Sequence, residues 1–545
     1  MITTDFLFII PELYHIILLN LLLLFALFFS GLGQSKQTAL WSPIEGSRSQ
    51  GGLKSPNNQH DYYYVYLPTP LQMVGLLGWL IVLSLLLSIP LYLNIPANLI
   101  GLILTSSFIC DDFARIFKIV LTFGAAAAIC LAIPAHQSSL LTGKIGYSNY
   151  ESLILVYLAI FGMLCLISSY NFLSLYLSIE LQSLCFYLLA SSKSRSEFSA
   201  EAGLKYFILG AFSSSILLFG ICLIYGTIGS IYFDDIGVWH MFCNGNGLVE
   251  SQGNSSVIEG SWLTGLATVN LGVIVGLSCI CISLLFKLAA VPFHMWAPDV
   301  YEGSPMGVTA FFAIAAKVGA LAVLARLIIM TGQLLQPIIV LITAATLLVG
   351  TFSAMRQIKL KRFIAFSGIS NVGWFLMGLS CGQLEAVILH LIVYIVSGIT
   401  LFSITIQPIH RLEENNHHSY TNIKHISDLG QIYKTNKVEA VALTLTLFSL
   451  GGIPLLAGFY SKYLIINAAV QAETLGLLSI GLFSAVLSAF YYIRVVKTIY
   501  FARLGGDWFS SETPSNVNAY LIAITSFFTA LFIIYPESFT VWLIN

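Results

Sequence analysis

The sequence predicts an all-α integral membrane protein with about 14 transmembrane helices, including two inverted five-helix repeats that each contain a broken helix. Three observations carry that prediction. Of the 545 residues, 57% are hydrophobic and 9% charged, and the mean hydropathy is +0.87; a soluble domain carries about 25% charged residues. Apolar stretches of about 20 residues, the length that crosses a bilayer, recur along the chain. Two of them are interrupted by a proline close to a lysine, Lys287 with Pro292 and Lys462 with Pro454. The net charge of −1 argues against a nucleic-acid surface, and the nine cysteines include no C-x-x-C pair. They lie mostly in apolar runs and read as small buried hydrophobes.

In order, the expected spans are 6–29, 70–93, 113–134, 150–170, 171–191, 201–226, 266–292, 305–330, 334–355, 362–382, 385–408, 438–468, 474–501 and 517–543. The first has no basic leader or small-residue cleavage site before it and reads as a retained span. Continuous apolar runs exclude a barrel, whose strands alternate in short segments. The polar insertions are 30–69, 229–262 and 410–437, and the apolar but short segment 94–112 reads as a re-entrant or surface piece. The loop histidines His410, His417, His418 and His425 lack regular ligand spacing and read as solvated. Lys and Arg gather in the loops after odd-numbered spans, for example Arg356, Lys359, Lys361 and Arg362, whereas 229–262 carries Asp234, Asp235, Glu250 and Glu259. The charge bias places the odd loops in the matrix or cytoplasm and both termini on the electropositive side.

The repeat shows in two places. Glu201-Ala-Gly-Leu-Lys205 opens one span, and Glu385-Ala-Val-Ile-Leu-His390 opens another five spans later. The Lys287/Pro292 span has a counterpart, also five spans on, in Gly451-Gly-Ile-Pro454 and Lys462. Five is odd, so the halves are inverted. The chain divides into 1–145 (three helices and a long loop), 146–332 and 333–505 (one five-helix repeat each), and 506–545 (a last helix).

Ionisable groups inside hydrocarbon need a partner, water or a function. Glu180, centred in Leu-Ser-Ile-Glu-Leu-Gln-Ser-Leu, fits either a structural ion pair or a proton-relay partner. Lys287, beside a helix break, and Lys317, in mid-span, are the candidates to join it. Lys462 lies past the second break, while Lys205 and His390 lie one turn into their spans, where snorkelling to the interface is an equal reading. Glu12, Glu151, Glu201 and Glu385 stand at span ends, where a helix N-terminus favours carboxylates, and read as structural. No glycine-rich nucleotide loop and no cysteine set for an iron–sulfur cluster is visible. The residues alone describe an ion or proton translocator energised from elsewhere.

Ile179-Glu-Leu-Gln-Ser-Leu184, Glu201-Ala-Gly-Leu-Lys-Tyr-Phe, Phe286-Lys287 through Pro305, and Gly452-Ile-Pro-Leu-Leu-Ala-Gly-Phe-Tyr-Ser-Lys462 together resemble the antiporter-like subunits of respiratory complex I. The likeness is clear over roughly 110–505. It implies that Glu180 and Lys287 form the ion pair of a first half-channel, that Lys317 carries the proton along the midplane, and that Lys462 is the terminal site. Lys205 and His390 take the equivalent repeat positions. The sequence departs from the family at Asn371, where a histidine is usual, so a titrating role is excluded there. The resemblance further implies a mitochondrial inner-membrane location with both termini towards the intermembrane space. The implied neighbours are membrane-arm subunits, especially the small subunit 4L type and the antiporter-like subunit 4 type. NAD, FMN, iron–sulfur clusters and ubiquinone would be bound by other subunits of the complex. A subunit of a multi-subunit cation/proton antiporter is the alternative, and a structural membrane subunit is another.

Overall fold

The structure, a computed structural model, describes residues 10–25, 70–93, 101–103, 106–141, 149–193, 196–243, 261–412, 418–501, 509–511, 515–534 and 536. The insertion 30–69 and the outer ends of the first and last expected spans lie outside them. Its N-terminal helices are α1 (Ile10–Phe25), α2 (Pro70–Leu93) and α3 (Asp112–Leu141). The next group is α4 (Asn149–Ser168), α5 (Phe172–Ala190), α6 (Glu197–Ile228), α7 (Phe233–Cys243), α8 (Ser261–Leu288), α9 (Trp296–Gly303), α10 (Met306–Ile314) and α11 (Ala316–Thr331). Then come α12 (Gln336–Met355), α13 (Leu360–Ser380), α14 (Leu384–Thr405), α15 (Ile432–Thr435), α16 (Lys437–Gly451), α17 (Ala457–Gln471), α18 (Leu475–Phe501) and α19 (Asn516–Leu531).

Among the described residues, 11 helices are long and apolar enough to cross a bilayer, and α1 and α19 are shorter apolar helices. The expected span 438–468 is two half-helices, α16 and α17. Nearly every residue of α13 and α14 is buried, which puts these two at the centre of the bundle. In contrast α6 turns Phe198, Leu204, Phe207, Phe212 and Phe219 outward, an apolar face suited to lipid. Helix ends are satisfied locally. Asn171 caps α5 by accepting from the Ser174 amide at 2.6 Å, and Arg494 on α18 donates to the carbonyls of Met355 and Gln357 at the end of α12.

The structure refines the expected outline. α6 begins at Glu197, not 201, because Ser196 caps it, and at 32 residues it extends about 48 Å. Within 94–112 the described part is a hairpin of β1 (Gly101–Ile103) and β2 (Phe108–Cys110). The insertion 229–262 contains helix α7. In 410–437, β3 (Pro408–Leu412) pairs with β4 (His418–Asn422) and with β5 (Phe509–Ser511), so His410 and His418 are strand residues. The span 305–330 is divided at Ala315 into α10 and α11, two residues before Lys317. No proline or glycine marks that interruption.

The two proline breaks fall where expected. Pro292 lies between α8 and α9, and Pro454 between α16 and α17. Each break also holds a non-glycine residue in the left-handed region, Ala289 at φ 60° and Leu455 at φ 75°. Such residues are uncommon and persist only where the surroundings hold them. The second break is closed tightly, since a Cβ on Gly458 would stand 1.8 Å from the Ser449 carbonyl oxygen. Gly458→Ala is therefore expected to push α16 and α17 apart and lower the amount of assembled protein on immunoblots. Gly226→Ala, at a position with nothing within 4 Å, should leave that amount unchanged.

Candidate functional site

Lysines inside the bundle organise the site. Lys287 ends α8, Lys317 opens α11, and Lys462 lies in α17 past the second break. Lys317 and Lys462 are 6% and 4% exposed. Among the described residues none of the three makes an ion pair. Each instead stands over an aromatic ring, Lys287 at 5.7 Å from Tyr187, Lys317 at 5.2 Å from Tyr394 and Lys462 at 5.4 Å from Trp374. A ring face attracts a cation without supplying a counter-charge, and the attraction is strongest where water is excluded. Hydroxyls and carbonyls complete the shells. Lys287 Nζ is 3.5 Å from the Tyr187 hydroxyl. Lys317 Nζ donates to the Gly368 carbonyl at 3.3 Å and to the Tyr394 hydroxyl at 3.2 Å.

The breaks treat their freed carbonyls differently. At the first, the Phe286 carbonyl accepts from the Ala289 amide at 3.0 Å and from the Trp296 indole at 2.9 Å. At the second, the Leu450 carbonyl accepts from Lys462 Nζ at 2.7 Å. The sequence suggested that Lys287 would share its proton with carbonyls at the break. Lys462 is the lysine that does so.

Glu180 and Lys287 do not touch, which corrects the contact pair implied by the resemblance. Glu180 is half-buried, its Oε1 has no hydrogen-bond partner among the described residues, and its Oε2 accepts from Ser183 Oγ at 3.5 Å. Ser183 and Tyr187 follow Glu180 by three and seven residues, along one face of α5. The carboxylate and the ammonium are thus spaced by two hydroxyls on a common helix face. A cavity of about 10 Å³ joins Ser183 to Lys287, and one of about 20 Å³ opens onto both Lys287 and Lys317 beside Gln182 and Tyr301. The larger has room for about one water molecule.

Beyond Lys317, the Asn371 amide donates to the Ser367 carbonyl at 2.9 Å, one turn from Gly368. The Phe375 ring lies between Tyr394 (5.7 Å) and His390 (5.1 Å). His390, 3% exposed, reaches Ser461 Oγ at 2.9 Å through Nδ1, next in sequence to Lys462. The structure therefore groups Lys287 with Lys317, and His390 with Lys462. Lys205 belongs to neither group, which corrects its expected place among the buried groups. It is 46% exposed and pairs with Glu201 at 2.8 Å and Asp299 at 3.1 Å. Asp299 also accepts from Arg362, while Glu302 accepts from Lys359 and forms an ion pair with Arg362, so this charge network ties α9 to α6 and α13. Sequence reasoning missed Tyr187, Tyr394 and Trp374, the rings beneath the lysines. Their pattern, an aromatic residue for each buried lysine, crosses between helices and leaves no spacing in the chain.

A row of membrane-buried lysines on interrupted helices defines an antiporter-type membrane subunit. The family model described as NADH:quinone oxidoreductase/Mrp antiporter, TM, matches residues 169–488. The chain is 38% identical over 473 residues to NADH-ubiquinone oxidoreductase chain 2 of Oenothera berteroana, covering 85% of this chain and 89% of that one. A chain of respiratory complex I from Thermus thermophilus is similar in fold, with TM-score 0.66 and 25% identity over 86% of this chain and 96% of that one. A chain of the Mrp complex from Dietzia sp. has TM-score 0.64 and 18% identity, over 86% and 93% of the two chains, a likeness of fold. The chain belongs to the NADH:quinone oxidoreductase/Mrp antiporter membrane family, in its NADH-ubiquinone oxidoreductase chain 2 branch.

Exposed ion pairs contribute about 0–1 kcal/mol each. Asp299→Asn, which removes the acceptor shared by Lys205 and Arg362, should therefore loosen α9 without unfolding it. Hydrogen exchange of α9 amides is expected to quicken by less than about tenfold, tenfold being 1.4 kcal/mol.

Proposed function

We propose that the chain is a proton-translocating membrane-arm subunit of a respiratory NADH:ubiquinone oxidoreductase, moving protons through Glu180, Lys287, Lys317, His390 and Lys462 while quinone reduction elsewhere supplies the energy. The observation that carries this reading is the cavity shared by Lys287 and Lys317. It lets the ammonium of one lysine pass its proton through one intervening water to a neutral amine on the other. Glu180 is the switch. When Glu180 moves along the Ser183–Tyr187 face towards Lys287, the ammonium form there is favoured; when it withdraws, the lysine loses its counter-charge and passes the proton on to Lys317. Lys317 carries the proton as its ammonium, held by the Gly368 carbonyl and the Tyr394 hydroxyl, and His390 with Ser461 leads on to Lys462. Lys205 serves instead to position α9, through Asp299.

The location is the mitochondrial inner membrane, as for a plant-type chain 2, with both termini towards the intermembrane space and the basic loops in the matrix. Within that frame the chain has fourteen spans, and two inverted halves, 146–332 and 333–505, each built around one broken helix. The neighbours are other membrane-arm subunits, the subunit 4L type and the antiporter-like subunit 4 type, and the NAD, FMN, iron–sulfur and ubiquinone sites lie in other chains.

Lys287→Ala and Glu180→Ala in an assembled complex are expected to keep NADH oxidation coupled to quinone reduction, with proton pumping into sealed vesicles reduced several-fold. Unchanged pumping in both would overturn the reading. Gly368→Ala supplies a milder perturbation, because its Cβ would stand 3.0 Å from Lys317 Nζ and 3.2 Å from the Tyr394 hydroxyl. Displacement of the ammonium from the Gly368 carbonyl should lower pumping with the assembled amount preserved on native gels. A multi-subunit antiporter is the second reading, supported by the shared fold. Copurification of this chain with antiporter subunits and without NADH oxidation would establish it.

A further inference from the structure

Outside the segment matched by the family model, the N-terminal helices hold a second set of buried charges. Glu12 on α1 and Lys118 on α3 form an ion pair at 2.5 Å, with the side chains 18% and 2% exposed. The Lys118 ammonium stands 5.5 Å over the ring of Tyr92 on α2. One turn beyond Glu12, His15 is 1% exposed and meets the hydroxyl of Tyr157 on α4 at 2.8 Å through Nδ1. Five titratable side chains from four helices thus converge in an apolar interior.

Two features separate this cluster from an ordinary staple between helices. Lys118 repeats the arrangement of Lys287, Lys317 and Lys462, a buried lysine over an aromatic ring at 5–6 Å. His15 Nε2 and the Tyr92 hydroxyl are buried and have no hydrogen-bond partner among the described residues. A staple needs neither of these groups, and a buried polar atom without a partner is destabilising. The groups facing Lys118 are Glu12 and His15 on α1, Tyr92 on α2, Cys110 in β2 and Cys165 on α4. Burial pushes the Cys110 thiol up to about 11, so it stays neutral between the Glu12–Lys118 pair and the Asp111–Arg326 pair, which is closed at 3.0 Å.

We propose that Glu12, Lys118, His15 and Tyr157 form a proton-binding site of their own, separate from the row that begins at Lys287. With the pair closed, Glu12 is a carboxylate against an ammonium. When α1 and α3 separate, the carboxylate loses its cation in an apolar interior and takes up one proton, becoming a neutral acid that donates to a neighbouring acceptor. Closing the pair again releases that proton, so uptake and release balance. His15 and Tyr157 extend the site inward, while Cys110 and Asp111 extend it towards the membrane end where α3 begins. The inference rests on the proton-translocating reading of the chain.

The test uses the assembled complex in sealed vesicles. Replacing a buried ion pair by neutral residues of similar shape is often tolerated, so the double variant Glu12→Gln/Lys118→Met should assemble. Lys118→Arg is the second variant; it keeps the positive charge, but its planar guanidinium grips the Glu12 carboxylate through two N–H groups and holds the pair closed. Both are expected to retain NADH:quinone activity, to pump fewer protons per electron and to lose part of the pH dependence of pumping. Redox-difference infrared spectra should show a carboxylic-acid band in the unmodified complex that is missing in the double variant. Unchanged proton-to-electron ratio and pH dependence in either variant would overturn the proposal. Failure of both to assemble would mark the pair as a staple and overturn it too. A Lys287→Ala complex assayed in parallel keeps the two readings apart: if it loses pumping while these variants do not, only the second site is refuted.

Discussion

The structure depends on one constraint, that an ammonium group inside hydrocarbon must be held without being locked. Transferring an unpaired charge into an apolar interior is expensive, whereas a contact pair in low dielectric keeps both groups charged for as long as its helices stay together. The chain takes a middle course at Lys287, Lys317 and Lys462. Each has an aromatic ring beneath it and one or two neutral acceptors, and among the described residues none has a carboxylate in contact. Neutral acceptors hold the charged form with modest strength. A shift of one nearby carboxylate can then decide the protonation state.

The helix breaks follow from that constraint. An intact helix uses its own carbonyls and offers none to a lysine. Interrupting α16–α17 frees the Leu450 carbonyl for Lys462, and the interruption at Ala315 places Lys317 at a helix start, facing Gly368 across the interface with α13. At the first break the indole of Trp296 takes the Phe286 carbonyl, and Tyr206 stacks on that indole at 4.5 Å. Lys287 is left to Tyr187 and the cavity. The two breaks are therefore similar in backbone and different in chemistry. One fixes its lysine on a carbonyl, and the other leaves its lysine facing room for water.

Much of this was legible in the sequence, for a simple reason. In an apolar run a lysine or a proline stands alone, so Lys287, Lys317, Lys462, Pro292 and Pro454 identify themselves. The interruption before Lys317 carries no proline or glycine, so no local signal marks it. Lys205 was drawn into the buried set by the repeat. Yet Glu201 stands four residues before it, the spacing of a surface ion pair, and that signal described its actual surroundings. Glu12 was read as a carboxylate at a helix start. Its partner Lys118, six residues into α3, carries no local mark of a pair. Pairing across 106 residues of chain is a tertiary fact that neither local pattern contains.

Energy decides between a relay and a set of charges that merely joins helices. Moving one proton against about 100 mV requires about 2.3 kcal/mol. A hundredfold change in a group's proton affinity corresponds to about 2.7 kcal/mol, and gaining or losing one buried counter-charge changes affinity on that scale. A structural set would be closed, since a half-satisfied buried pair destabilises the fold that it is meant to hold. Here the Glu180 carboxylate is left with one weak hydroxyl contact, and Lys287 with another, on the same helix face. The fold bears that open arrangement at its centre while Asp111–Arg326 and Glu302–Arg362 are closed elsewhere. Those two closed pairs tie helices together, whereas Glu180 and Lys287 stand apart without a counter-charge in contact.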